Sequence, residues 1–511
     1  MAPARGTRLN PYAGLIVGLA AMVLLASCSN GSSQIDGTIA GADGPPNIVF
    51  ILIDDLGWPD VEPYANEFHE TPHINRLAAD GMRFTNAYAA SPVCSSTRAS
   101  IQSGQYPARV GITDFIPGHW RPFEALTVPT NRTQWLPHEV VTVGETLREA
   151  GYTTGYYGKW HLDGFDAVSL PTVQGYEVAR TRRGGAHFNF ADRFEPPYLD
   201  IEDDAYLTDV LTDEVIEFID NSSASPFFVT LAHFAVHVPL EAKEPTVEKY
   251  RNKARPDNGV NNPVYAAMIE HVDDSVGRVL RTLDNAGIAD NTVVVFYSDN
   301  GGLRERFDKS TGVIVSSNAP LRDEKGTVFE GGIRVPLIVK WPGVVEGGSS
   351  SDALMVSPDI FPTLAEMAGA GLPDTQVLDG ESLVPILKGG EQSADRAIYF
   401  HYPHYHHMVP AGAVRQGDWK LIEFFDDNHV ELYDLADDIG ESTDLAESMP
   451  VKAAELRAML AAWREDVGAL MPTLNEDFDR ERRGEWGEHP NRPGWNPDQE
   501  WEPGPGDQAR P

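Results

Sequence analysis

Cysteine is nearly absent. The 511 residues contain two, Cys28 and Cys94. At most one intramolecular disulfide is available, so the fold must rest on a packed core, which this length allows. Basic residues are also scarce: 40 Lys and Arg stand against 76 Asp and Glu, a formal net charge of -36. Neutralising a nucleic-acid backbone takes clustered Lys and Arg, so this balance argues against nucleic acid as a partner. It describes a solvated acidic surface. An anionic substrate would need a local basic pocket inside a repelling field. Beyond residue 25 no run is long and apolar enough to span a bilayer.

What stands at the start reads as an export signal. Arg5 and Arg8 precede an apolar stretch, Gly14–Leu25, that is short for a membrane span. Leu25-Ala26-Ser27-Cys28 looks like the lipobox of bacterial lipoproteins. That likeness implies a signal peptide over 1–27 and acylated Cys28 as the first mature residue. Residues 28–44, rich in Ser, Gly and Asp, are expected to be a flexible tether. The protein is then expected in the bacterial cell envelope at the outer membrane, periplasmic or surface-facing, touching membrane only through its lipid anchor. A plain secretory signal with an incidental cysteine is the alternative.

From residue 45 short apolar runs alternate with helical patterns. Asn47–Ile53, Thr153–Tyr157, Phe227–Ala232, Thr292–Ser298 and Val335–Lys340 read as buried strands. Val141–Ala150, Tyr206–Ile219 and Tyr265–Ala286 space their apolar residues by three and four. The alternation predicts an α/β region over 45–375, a large and mostly parallel mixed sheet sandwiched by helices. Residues 376–470 change texture. Shorter strands at Ala397–His401, Ala411–Gln416, Trp419–Phe425 and His429–Tyr433 precede a helix over Val451–Val467. This predicts a smaller antiparallel sheet plus helix. Residues 471–511 are expected to be an extended or partly disordered tail.

Ligand-grade residues follow the strands. Asp54-Asp55 follow Ile53, Lys159 and His161 follow Gly158, His233 and His237 follow Ala232, and Asp299-Asn300 follow Ser298. In open α/β sheets sites are built at that edge. Adjacent carboxylates plus an amide oxygen suit a hard cation, Ca²⁺ or Mg²⁺; a solvated turn is the other reading of Asp54-Asp55 alone. Lys159 and His161, two apart, would share a side in an extended segment. With Lys325 and His237 they describe a pocket for a small oxyanion ester. Cys94 opens a helix-like run with Arg98 four residues on, a setting that favours anions and nucleophiles.

These stretches together resemble the type I, formylglycine-dependent sulfatases of the alkaline-phosphatase-like superfamily, bacterial polysaccharide sulfatases among them. The likeness rests on Pro46–Gly57, Pro92–Pro107, Gly155–Leu162, Phe227–Pro239, Tyr265–Leu280, Ser298–Gly302, Asn318–Pro336 and Ala411–Asp434, in that order. It implies that maturation machinery converts Cys94 to formylglycine (3-oxoalanine). Its gem-diol would attack sulfur and later expel sulfate by collapsing to the aldehyde. By the same resemblance, Asp54, Asp55, Asp299 and Asn300, with residue 94, hold one Ca²⁺. Arg98 steadies residue 94, and Lys159 and Lys325 neutralise sulfate oxygens. His161 hydrogen-bonds the formylglycine, and His237 protonates the leaving alcohol. Ser96 departs from the usual motif, which has Pro or Ala there.

The substrate this implies is a sulfated carbohydrate, an extracellular polysaccharide or its oligosaccharides of algal galactan, ulvan or glycosaminoglycan type. The run His401-Tyr402-Pro403-His404-Tyr405-His406-His407 is a candidate specificity loop, with His404 as a substrate contact; a second metal site and a solvated loop are the other readings. Two alternative functions stand beside this one. One is a phosphoester or phosphonoester hydrolase of the same superfamily, the other a glycan-binding surface lipoprotein with a degenerate site.

Overall fold

The apolar runs become strands of one eight-stranded sheet in the computed structural model. Its strands, in chain order, are β1 (Asn47–Ile53), β2 (Met82–Phe84), β3 (Thr153–Gly158), β4 (Val178–Thr181), β5 (Phe227–Ala232), β6 (Thr292–Ser298), β7 (Leu337–Lys340) and β8 (Ser349–Ser351). The structure describes residues 44–492 and 494, apart from 165–166, 183–185, 189–200, 203, 257–260 and 305–313. The expected signal peptide, Cys28 and all of the tether before Gly44 lie outside the described residues, as does the end of the tail.

The sheet order is β8-β2-β7-β6-β1-β5-β3-β4. Every neighbouring pair is parallel except those of β7, which runs against both β2 and β6. Alternate residues of a strand face opposite sides, and both sides are covered here. Val49, Ile51, Ile53, Val229, Leu231, Val294 and Phe296 pack with helices Leu207–Ser222 and Pro263–Asn285. Ile48, Phe50, Leu52, Phe228, Val293, Val295 and Tyr297 face the other side, toward Cys94–Ser103, Val143–Glu149 and Ile360–Ala368. Burial on two faces is why these strands read as unbroken apolar runs rather than alternating ones.

A second sheet of four antiparallel strands, β9 (Ala397–Tyr402), β10 (Ala411–Gln416), β11 (Trp419–Phe424) and β12 (Val430–Asp434), follows in sequential order. One face packs Ile398, Phe400, Ala413 and Ile422 against the main body. The other packs Val414, Leu421 and Leu432 against Leu456 and Leu460 of the terminal helix Pro450–Val467. Beyond that helix the chain returns along residues 120–127, with one short strand followed by turns. Thr473–Leu474 pair with Leu126–Thr127, and Asn475 Nδ2 donates to the Pro122 and Glu124 carbonyls at 2.8 and 2.7 Å. Among the described residues no helix is long and apolar enough to cross a membrane.

Candidate active site

β6, β1, β5 and β3 are adjacent and parallel, so the residues after their C-terminal ends emerge side by side. Asp54-Asp55 leave β1, Lys159 leaves β3 and Asp299-Asn300 leave β6. Asp55 turns the chain at once. Its φ is +60°, a left-handed conformation that a non-glycine residue adopts only when its surroundings hold it. They do: its N–H donates to Asp299 Oδ1 at 3.2 Å, and Tyr265 donates a hydroxyl to its carbonyl at 3.3 Å.

Onto this edge the helix Cys94–Ser103 presents its first residue. Cys94 is 2% exposed. Its Sγ lies 3.4 Å from Asp54 Oδ1, 4.0 Å from Asp55 Oδ1, 3.4 Å from Lys159 Nζ and 3.5 Å from Lys325 Nζ. Lys159 Nζ is paired with Asp54 Oδ2 at 2.6 Å, and Lys325 Nζ with Asp55 Oδ1 at 2.7 Å. Arg98, one helical turn after Cys94, donates Nε to Asp299 Oδ2 at 2.8 Å and Nη1 to the Lys159 carbonyl at 2.5 Å. Three carboxylates thus meet three fixed cations around one sulfur, all buried.

The electrostatics follow from that packing. Burial pushes the Cys94 thiol up, and the pull of Lys159 and Lys325 does not reverse it. Burial also pushes Asp55 up, but the charges of Lys325, His237 and Lys159 outweigh it and hold the carboxyl below its usual range. Asp299 goes the other way, to about 6, through burial and the repulsion of Asp54, with Arg98 opposing.

Two comparisons decide the family. Residues 46–370 match the sulfatase family model, and residues 323–466 match that of the N-sulphoglucosamine sulphohydrolase C-terminal region. The chain belongs to the sulfatase family. A sulfatase of Formosa agariphila is 34% identical to it, covering 86% of this chain and 92% of that protein. The N-acetylgalactosamine-6-sulfatase of Canis lupus familiaris is 34% identical over 71% of this chain and 69% of that one. Among solved structures, Ps i-CgsB in complex with k-i-k-neocarrahexaose superposes with a TM-score of 0.71 at 28% identity, covering 85% of this chain and 94% of that one. The protein is a sulfatase, a sulfuric ester hydrolase.

The sulfatase site has the donors a hard divalent cation requires. Asp54, Asp55, Asp299 and Cys94 each offer an atom within 4.8 Å of the others. Asn300 supplies the independent sign: its Nδ2 donates to Asp55 Oδ1 at 2.7 Å, while its Oδ1 is buried with no hydrogen-bond partner among the described residues. A buried acceptor left unmatched costs about 1–3 kcal/mol unless something outside the protein meets it. Carboxylate and amide oxygens are the ligand set of Ca²⁺ and Mg²⁺.

The histidines divide. His237 is at the site, its Nε2 3.7 Å from Asp55 Oδ2 and its Nδ1 bonded to the Val238 carbonyl at 2.5 Å. A carbonyl accepts, so Nδ1 carries the hydrogen and Nε2 is the nitrogen that titrates. Burial, then Lys325 and Lys159, lower its pKa to about 3. The ring is then neutral at neutral pH before substrate arrives. His161 has φ +61°, so the segment is not extended there, and the expected shared side with Lys159 fails. Its Nε2 bonds the Ile116 carbonyl at 2.9 Å, and its buried Nδ1 has no hydrogen-bond partner among the described residues. His233 bonds Ser275 Oγ at 3.0 Å, away from the carboxylates.

His404 is packed inside its loop. It is 2% exposed, its Nε2 bonded to Thr113 Oγ1 at 2.9 Å and its Nδ1 3.8 Å from Asp114. Its ring is held at Nε2 and packed away from solvent, with Asp114 beyond hydrogen-bond reach of Nδ1. His401 likewise bonds the Leu470 carbonyl at 2.9 Å. Sequence reasoning gives no role to Tyr265 or Ser95. Ser95 Oγ donates to the His161 carbonyl at 2.9 Å and accepts from Ile116 N at 3.0 Å, joining the Cys94 helix to the loops around His161. Tyr265 lay hidden in the apolar stripe of its helix, and only its hydroxyl carries a signal.

Proposed function

We propose that this sulfatase removes sulfate from a sulfated carbohydrate, using residue 94 as formylglycine and one Ca²⁺ held by Asp54, Asp55, Asp299 and Asn300. The observation that carries the reading is the pair of lysine ammoniums 3.4 and 3.5 Å from the residue-94 side chain, above a buried carboxylate cluster. The family match and the carbohydrate bound by the related Ps i-CgsB support it.

A bound cation supplies Lewis-acid polarisation of a sulfate oxygen, and the hydrated aldehyde at residue 94 supplies the attacking oxygen. The chain's residues do the rest. Lys159 and Lys325 are held within reach of residue 94 and meet the charge that grows on the sulfate oxygens. Arg98 fixes Asp299 and the Lys159 carbonyl, keeping the cluster in register with the helix start. The bare Nδ1 of His161 is a buried acceptor for a hydroxyl proton. His237 holds a proton on Nδ1 and faces the site with Nε2. A sulfate ester between the lysines offsets their repulsion of the imidazolium, so the ring gains its Nε2 proton with substrate and gives it to the departing alcohol.

The direct test is steady-state turnover of sulfate against phosphate monoesters, before and after EDTA treatment. We expect sulfate turnover to dominate and to fall at least tenfold after chelation, with recovery on adding Ca²⁺. Equal or better phosphate turnover would overturn the assignment. His237→Ala is expected to cost sugar sulfates about 10²- to 10⁴-fold but activated aryl sulfates much less, because a good leaving group needs little protonation. Equal losses on both would remove the acid role.

A further inference from the structure

The histidine run of the β9–β10 loop does not line the carboxylate cluster, yet part of it touches Lys325. His407 Nδ1 donates to the Lys325 carbonyl at 3.0 Å and lies 3.4 Å from Glu324 Oε1. Met408 Sδ accepts from Val328 N at 3.0 Å. His406 packs so closely on Gly326 that a Cβ there would come within 1.8 Å of its Nδ1. Gly326 also has φ +82°, so glycine is required twice over.

The same short turn is tied on two other sides. Lys325 N donates to the Gly302 carbonyl at 3.1 Å, just beyond Asn300, and Gly326 N donates to the Pro92 carbonyl at 2.9 Å, just before Cys94. Both ties are backbone to backbone. The third, from the C-terminal region, is a side chain.

We infer that His407 is a positioning residue for Lys325. It holds the Lys325 peptide so that the ammonium stays over residue 94. Its action is indirect, through the carbonyl of residue 325, and rests on the reading of Lys325 as a sulfate partner. The inference also gives the C-terminal sheet a catalytic consequence: the loop between its first two strands completes the cradle of an active-site lysine.

The test compares wild type, His407→Ala and His407→Asn, whose amide can donate where Nδ1–H does. Two readouts are taken on the metal-loaded enzyme: kcat/KM on an aryl sulfate, and the inhibition constant of inorganic sulfate. We expect His407→Ala to lose ~10- to 100-fold in kcat/KM and to weaken sulfate inhibition in step, as small misplacements of a charge-stabilising group do. His407→Asn should recover most of both. An unchanged His407→Ala overturns the inference, as does an Asn variant impaired as badly as Ala. Should the Ala variant not fold, Met408→Leu cuts the neighbouring tie to Val328 and is expected to lose about threefold on both readouts; no change there overturns it. A wild type without sulfatase activity would instead sink the proposed function, so the two failures are distinct.

Discussion

Cys94→Ala is expected to lower sulfate-ester turnover on the order of 10⁴-fold or more, the scale seen when a nucleophile is deleted. Its effect on folding and on sulfate binding should be small. The substitution deletes one buried atom that makes only long contacts, 3.4–4.0 Å, to its neighbours. It changes no formal charge, because formylglycine is neutral and burial keeps an unconverted thiol protonated. Lys159 and Lys325 remain paired with Asp54 and Asp55, so the anion pocket persists. Activity assays, thermal melts and titration with inorganic sulfate separate the three quantities. Residual turnover within tenfold of wild type would remove residue 94 from the reaction.

Arg98→Met should act in the opposite way, through stability. Arg98 is 2% exposed and pairs with Asp299 Oδ2 at 2.7 Å, with Asp54 Oδ1 at 3.9 Å. Methionine fills much of the volume but leaves Asp299 facing Asp54 with its closest counter-charge gone. Breaking one side of a buried pair costs about 3–5 kcal/mol, because the remaining carboxylate is left as an unpaired charge or must take up a proton. The cost should appear in denaturant unfolding of the metal-free protein. Asp299 already rises to about 6 with Arg98 in place. Without it the carboxyl should be protonated at neutral pH, and cation affinity should fall with it. Arg98→Lys should not restore the wild type, since a point-like ammonium does not reproduce the planar fork that puts Nε on Asp299 and Nη1 on the Lys159 carbonyl. A loss below about 1 kcal/mol would show the pair to be dispensable.

Much of this architecture is legible in the sequence, for identifiable reasons. Strands buried on both faces, such as Asn47–Ile53 and Thr292–Ser298, announce themselves as continuous apolar runs. The residues after them carry the site, because parallel strands deliver their C-terminal ends to one edge. The short strands escape notice. Ser349–Ser351 has no apolar signal and exists only because Met82–Phe84 offers it an edge. Side-chain direction is the other gap. His161 was expected beside Lys159 from spacing in an extended segment, but a left-handed residue breaks the alternation. His404 and His407 are alike in sequence; one is sealed against Thr113 and the other grips Lys325, a difference set entirely by tertiary contacts. Nor does sequence show that burial, with two lysines beside it, lowers the pKa of His237.

All ten residues of the helix that begins at Cys94 are buried, Ser96 among them. On the proposed chemistry this sets a clock. An enzyme that oxidises Cys94 must reach it while the segment is still open, so modification and folding run as competing rates. Each molecule takes one branch, and closure of the core then locks the outcome in. A preparation would carry a fixed fraction of competent molecules, set during synthesis and indifferent to later incubation. Specific activity would then report the history of the chain as much as its chemistry.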